Sequence, residues 1–510
     1  MPLQFVVSKS NIYTPYFMRR FSLTLIFMAL LSVVFAQQER HIEIESAVVT
    51  THETTIKGKK VPYKATAGTQ PVWNEKGKPI ASLFYTFYER TDVSDKTTRP
   101  LVISFNGGPG SASIWMHIAY TGPVVLNIDD EGYPLQPYGT KSNPHSILDV
   151  ADIVYVDPVN TGYSRIVDEE VDRSTFFGIN SDIRYLADWV NTFVTRQNRW
   201  ASPKYLIGES YGTTRVAGLV AQLQNSHWMY FNGVIMVSPT ELGIERGAPI
   251  HTSNYLPYYA ATAWYHKALD ASLQSQDLED FLPEVEAFTI KELIPAVVKG
   301  GMLTASERDA IATKYALYSG LKKDVVLEHN LLIPTNFFWK ELLRDKGMTI
   351  GRLDSRYKGF DNSGTGSRPD FDPALSSWNH AFAPSFQIYV RENLNYKTDL
   401  TYNLFGPVHP WNRSNENTGY DLADAMRQNP YLHVMTQSGY YDGGTDYFNA
   451  KYNHWQMDPS GRLADRLSWK GYRSGHMMYL RAEDLETSNE DIRQFIKKSM
   501  VAPDMPAKYD

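Results

Sequence analysis

Residues 205–218 read YLIGESYGTTRVAG, and the order of features in this stretch decides how the rest of the chain is read. An apolar run leads into Gly208-Glu209-Ser210-Tyr211-Gly212, and a helical pattern follows. G-x-S-x-G set between a buried strand and a helix is the signature of a nucleophile elbow, in which a tight turn lifts a serine hydroxyl clear of the sheet edge. The flanking glycines are required because side chains there would clash in so tight a turn. A chance G-x-S-x-G is the competing reading, and the strand before it and the helix after it argue against chance.

The surrounding sequence has the same grammar. LVISF (101–105), IVYV (153–156), GVIMV (233–237) and LHVMT (432–436) are short continuous apolar runs, the pattern of strands buried on both faces of a parallel sheet. Between them, Ile183, Leu186, Trp189, Val190, Phe193 and Val194 share one helical face, with Asn180 or Ser181 as the expected cap. After Ser210, Val216, Leu219, Val220 and Leu223 form a second such face. Strand, helix, strand alternation predicts a doubly wound α/β sheet. Residues 37–100 instead alternate, as in IEIESAVVTTHETTIKG and ASLFYTFYER, with turn residues NEKGKP (74–79) between two runs, and predict antiparallel strands opening the sheet. From 246 to 384 strand runs vanish and helical patterns such as TASERDAIATKYALYSG and FFWKELLRD dominate, ending in the loop-like RLDSRYKGFDNSGTGSRPDFDP. The expected organisation is a leader over 1–36, a first part of the core over 37–245, a helical cap insertion over 246–384 and a second part of the core over 385–510. No fixed-period repeat is present, which excludes solenoids and propellers.

A serine hydroxyl is a poor nucleophile at neutral pH, so Ser210 requires a histidine base and an acid that orients it, in the order Ser, Asp, His. YLHVMTQSGYYDGGTDYF places Asp442 just beyond a buried strand, and WKGYRSGHMMYL places His476 in a loop beyond the next. Asp446 competes for the acid from four residues further along, and His454 competes for the base from a segment that reads as helical. A third element, PLVISFNGGPGSAS, runs a strand into Asn106-Gly107-Gly108-Pro109-Gly110. Glycines there let backbone N–H groups approach a developing oxyanion.

NGGPG, GESYG, SGYYD and GHM, in this order and with NPHSILDVADIVYVDPVNTGYSR between the first two, resemble the serine carboxypeptidase family of α/β-hydrolases. The resemblance implies an α/β-hydrolase fold: a mostly parallel central sheet with antiparallel N-terminal strands and a helical cap. It implies Ser210 as nucleophile, His476 as base and Asp442 as its partner, the N–H groups of Gly108 and Tyr211 as oxyanion hole, and Asn106, Gly107 and Glu209 as the site for the substrate's C-terminal carboxylate. A glutamate meeting a carboxylate must be protonated, so acidic pH is expected to favour binding. Two positions depart from the family pattern. Ser104 stands where the family has Trp, and Ser111 where it has Cys.

The bulk numbers agree. A chain of 510 residues, 43% hydrophobic, buries a large core, and 33 Tyr with 11 Trp suit aromatic-lined clefts. A net charge of −6 without a basic block gives no field for nucleic acid. The absence of Cys excludes thiolate metal sites and a cysteine nucleophile, and no metal or cofactor is expected. Arg19 and Arg20, the run FSLTLIFMALLSVVF, then Val34 and Ala36 read as a secretory signal cleaved before Gln37, with Met18 as an alternative start. The expected product is exported, periplasmic or extracellular, and acts on peptides with a free C-terminus. The run is short for a membrane span, which leaves a retained anchor as the alternative. An acyltransferase or esterase using the same triad is the competing activity. A peptide-binding protein with a vestigial site would not need Ser210, Asp442 and His476 together.

Overall fold

The computed structural model describes residues 40–510 apart from 415, 503, 507 and 510; the expected leader and the cleavage point before Gln37 lie outside the described residues. One sheet of 10 strands organises residues 43–510. Its strands are β1 (Ser46–Ile56), β2 (Lys59–Trp73), β3 (Pro79–Arg90), β4 (Leu101–Phe105), β5 (Asp152–Val156), β6 (Arg165–Ile166), β7 (Lys204–Glu209), β8 (Gly233–Val237), β9 (His433–Gly439) and β10 (Leu467–Tyr472). The order is β1-β2-β3-β5-β4-β7-β8-β9-β10, with β6 paired to β3. The pairs from β5 through β10 are parallel. β1, β2 and β3 are antiparallel, and β3 joins β5 antiparallel. This is the α/β-hydrolase fold.

The continuous apolar runs are buried on both faces, as their composition requires. Along β4, Leu101, Ile103 and Phe105 enter one core cluster and Val102 the other, because successive side chains of a strand point to opposite faces. Helices α1 (Ile179–Arg196) and α2 (Tyr211–His227) cover one face through Leu186, Trp189, Phe193, Val216, Leu219 and Leu223. Helices α3 (Pro373–Ile388) and α5 (Ala482–Ser499) cover the other through Trp378, Phe382, Phe386, Ile492 and Phe495, with α4 (Tyr447–Met457) lying between them in sequence.

The start of α1 corrects the expectation from sequence. Neither Asn180 nor Ser181 caps it: the helix begins at Ile179 after Gly178. A contact remote in sequence sets this start. Ile179 N–H donates to Asn412 O at 2.9 Å and Asn412 N–H donates to Phe177 O at 3.2 Å, so a bridge to a distant segment fixes where the chain turns helical.

Between β8 and α3 the described elements are mainly helical, among them Leu256–Tyr265, Leu278–Phe288, Ala305–Ser319 and Thr335–Glu341. Thr304 and Glu307 form a capping box at the start of Ala305–Ser319. These helices share a core with Tyr440, Tyr441, Tyr447 and Phe448, so they pack on the loop that follows β9. Helix α3 runs through residue 384, the expected end of the insertion, and its buried side chains join the sheet core. Among the described residues, no helix is long and apolar enough to cross a membrane.

In the sheet, β4 leads to β5 on one side while β7 leads to β8 on the other. The direction of winding therefore reverses between β4 and β7, and the loops leaving their carboxyl ends diverge from a crevice. Those loops are NGGPG and the Ser210 turn.

Candidate active site

Ser210 occupies the turn between β7 and α2 with φ 58° and ψ −128°. A positive φ is strained for a residue with a Cβ, and the surrounding structure holds it there. Ser210 N–H donates to Val237 O at the end of β8 at 3.0 Å, and Ser210 O accepts from Thr213 N–H at 2.9 Å and Thr213 Oγ1 at 2.7 Å. The glycine turn comes very close. A Cβ on Gly107 would lie 2.5 Å from Tyr211 N and 2.6 Å from Glu209 O, and Gly108 has φ 104°. Only glycine meets both demands.

A buried arginine ties the two turns together. Arg215, on α2, donates from Nη1 to Asn106 O at 2.5 Å and from Nη2 to Pro109 O at 3.4 Å, and Nε pairs with Asp182 Oδ2 on α1 at 2.7 Å. Arg215 and Asp182 are both fully or almost fully buried. Removing one partner of such a pair strands the other charge and costs about 3–5 kcal/mol. In the sequence the clamp shows as a single arginine in the otherwise uncharged first turns of the helix following the elbow.

His476 and Asp442 meet directly, with Nδ1 to Oδ2 at 2.7 Å. The Asp442 carboxylate also accepts from Thr445 Oγ1 at 2.7 Å, Gly444 N–H at 2.8 Å and Thr445 N–H at 3.1 Å. These donors hold the carboxylate in place as a fixed acceptor for the imidazole. Asp446 instead caps α4, accepting from Phe448 N–H at 3.1 Å, Asn449 N–H at 2.9 Å and Asn449 Nδ2 at 2.7 Å. His454 lies on α4 and bonds Thr436 of β9 at 2.8 Å through Nε2. Burial lowers its pKa to about 4.

Asn106, Gly107, Gly108, Glu209, Ser210 and His476 all line one cavity of about 290 Å³. Among the described residues no hydrogen bond joins Ser210 Oγ to His476; the two share the cavity wall. Such contacts commonly close only around bound substrate. A second cavity, of about 400 Å³, shares Gly108, Ser210, Gly444 and Thr445 with the first and adds Tyr211, Glu241 and Tyr255. Ser210 therefore stands where two cavities meet. Tyr211 is the first residue of α2, where backbone N–H groups lack partners within the helix and the helix dipole favours negative charge.

Glu209 is 3% exposed. Burial pushes its carboxyl up to about 7, against the opposing influence of His476 and of a hydrogen bond from Tyr479 Oη to Oε2. Tyr479, stacked on Tyr120 with centroids 4.5 Å apart, is a partner that sequence reasoning missed. The Asn106 side chain accepts from Met116 N–H at 3.2 Å through Oδ1, and it adds to the influences that oppose the rise of the Glu209 carboxyl. For His476, burial pushes the pKa down, but the charge and hydrogen bond of Asp442 and the charge of Glu209 more than offset it, and the net shift is upward. Of the two departures noted in sequence, Ser111 accepts from Trp115 Nε1 at 2.7 Å and so orients an indole that lines the cavity. Ser104 Oγ is buried without a partner.

Comparison with known proteins gives this site a family context. Residues 57–286 match the serine carboxypeptidase family model, a span that contains the glycine turn and Ser210 but ends before Asp442 and His476. Serine carboxypeptidase S10 family member 1 of Dictyostelium discoideum is 31% identical over 133 residues, covering 26% of this chain and 29% of that protein. Serine carboxypeptidase-like 47 of Arabidopsis thaliana is 30% identical over 149 residues, covering 29% and 27%. The chain thus spans under a third of the length of these curated relatives. The crystal structure of Kex1(delta)p, a prohormone-processing carboxypeptidase from Saccharomyces cerevisiae, matches with a TM-score of 0.52 at 13% identity, over 86% of this chain and 92% of that one. At that identity the match speaks for the fold. Residues 57–286 are thus similar to the serine carboxypeptidase family, and the chain as a whole shares the fold of the Kex1(delta)p structure.

Proposed function

We propose that this protein is a serine-type carboxypeptidase that removes C-terminal residues from peptides through an acyl-enzyme on Ser210. The observation that carries the reading is Glu209, a buried carboxyl next to Ser210, in the same cavity as the Asn106 side chain. An esterase needs an elbow, a base and an oxyanion hole. It has no use for a carboxyl beside the nucleophile that stays neutral up to pH of about 7.

In this reading Ser210 Oγ attacks the scissile carbonyl as its proton passes to His476 Nε2, with Asp442 stabilising the imidazolium through Nδ1. The N–H groups of Gly108 and Tyr211 receive the oxyanion. His476 returns the proton to the leaving amine, then activates the water that cleaves the acyl-enzyme. The α-carboxylate of the leaving residue accepts from the Asn106 amide, Gly107 N–H and protonated Glu209, and the acyl portion occupies the cavity shared with Tyr211.

The proton arrangement sets the pH dependence. Productive binding needs Glu209 neutral, and chemistry needs His476 neutral. The two groups share a cavity and titrate as a coupled pair; ionised Glu209 with protonated His476 carries the same number of protons and is unproductive. Below about 7 Glu209 holds its proton and donates to the substrate; above it, two carboxylates repel. KM for a free-acid peptide is therefore expected to rise as pH increases through about 7, and kcat to fall at the acid end as His476 gains a proton. An amide-capped peptide should lack the rise in KM, as should Glu209→Gln, which donates at every pH. Identical KM profiles for the free-acid and amide-capped peptides in the wild type would refute the carboxylate site and leave a serine hydrolase without an assigned substrate.

Export belongs to the same proposal. N-terminal sequencing of the protein recovered outside the cytoplasm is expected to begin at Gln37. Retention of residues 21–35 in a membrane fraction would replace the cleaved signal with an anchor.

A further inference from the structure

Of the residues that line the cavity containing Ser210 and His476, Arg352 is the only arginine or lysine among those described. Its position relative to the catalytic groups is set by backbone. Gly443 N–H, beside Asp442, donates to Arg352 O at 2.9 Å, and His476 N–H donates to Leu353 O at 2.7 Å. The two-residue segment is thereby stitched to the loops that carry both the acid and the base. The guanidinium is 45% exposed and faces the Asp372 carboxylate at 3.8 Å, too far for a hydrogen bond. Asp372 is committed elsewhere. It caps α3 and accepts from the N–H groups of Arg352, Leu353, Ala374 and Leu375 at 3.2, 3.3, 3.1 and 3.5 Å. The donors of Arg352 remain available to a ligand.

We propose that Arg352 is a specificity-determining residue, which pairs with an acidic side chain on the C-terminal residue that this enzyme releases. The proposal rests on the carboxypeptidase reading and adds to it the class of leaving residue. The α-carboxylate is provided for by Asn106, Gly107 and Glu209, neutral donors in the same cavity, so a cation at the wall answers a second negative charge. Trp115, Leu375, Phe405 and Met477 line that cavity too, giving the methylene groups of an aspartate or glutamate an apolar surface to lie on. A guanidinium forks onto a carboxylate with two parallel hydrogen bonds, which a neutral amide of the same shape cannot match.

The test uses the Ser210→Ala protein, in which bound peptides survive, and three peptides identical but for a final Glu, Gln or Lys. Titration calorimetry at about pH 5.5, where a glutamate side chain is ionised, is expected to give a Kd for the Glu peptide about fivefold below that for Gln, the size of a half-exposed charge-assisted contact, with Lys weakest. Adding Arg352→Gln should bring the Glu to Gln ratio to about one, Arg352→Lys should restore part of it, and Arg352→Glu should favour the Lys peptide. An unchanged ratio in Arg352→Gln overturns the proposal. So does equal weakening of the Glu and Gln peptides, which would put Arg352 on the α-carboxylate or reduce it to a support for Asp372. Failure of all three peptides to bind overturns this proposal and the carboxylate site together. Wild-type turnover of the same peptides separates the two ideas: a Glu preference in binding, lost with Arg352, but with no terminal residue released would retain the role of Arg352 and refute the carboxypeptidase.

Discussion

Ser210→Ala is expected to abolish turnover of peptide substrates, lowering kcat by about 10⁶, because loss of the nucleophile of a triad leaves only the oxyanion hole and binding to act on the substrate. The fold should be untouched. Alanine keeps the Cβ already tolerated at φ 58°, and the hydrogen bonds that hold this turn to its surroundings come from its backbone N–H and carbonyl. Equal thermal melts for wild type and variant, together with loss of fluorophosphonate labelling, would complete the result. Retained turnover in Ser210→Ala would end the assignment of the nucleophile.

Asp442→Asn is expected to lower kcat by about 10⁴, the cost of presenting the base in the wrong tautomer while the geometry survives. The carboxylate accepts from His476 Nδ1 at 2.7 Å; an amide nitrogen turned toward the ring would instead donate, leaving the proton on the nitrogen that must receive one from Ser210. Asp446→Asn makes an instructive partner. Asp446 is buried, its pKa is raised by that burial to about 6, and its oxygens are spent on the first turn of α4. Asparagine caps helices nearly as well as aspartate, so this variant should lose less than about tenfold in kcat. Measuring both variants on one peptide ranks the two acids, and the reverse order would move the acid to Asp446.

The clamp formed by Arg215 and Asp182 shows where local pattern stops being informative. Arg215 stands in plain view, five residues after the serine, but its meaning depends on the carbonyls of Asn106 and Pro109, which lie on another strand's loop. Tyr479 is equally visible in GHMMYL and equally silent, being 270 residues from the Glu209 that it meets. Arg352 falls within a stretch that reads only as a returning loop. The start of α1 departs from local pattern for a related reason: the polar residues at 180 and 181 look like caps in isolation, and the bridge to Asn412 that moves the helix start is invisible to local pattern.

What the sequence determined by itself was whatever is written within a few residues: the parallel strands β4, β5, β7, β8 and β9 in their continuous apolar runs, the antiparallel strand β1 in its alternation, the helices in their spacing, and the elbow in five residues around Ser210. Backbone sterics and the two periodicities of side-chain direction act over that range, so one segment suffices to express them. Tertiary structure alone decided which acid meets His476, how a buried Glu209 with a raised pKa comes to lie beside Ser210, and which cation shares its cavity. Those facts depend on desolvation and on hydrogen bonds between segments far apart in the chain, which come together only because the sheet reverses its winding between β4 and β7 and gathers their loops at one edge.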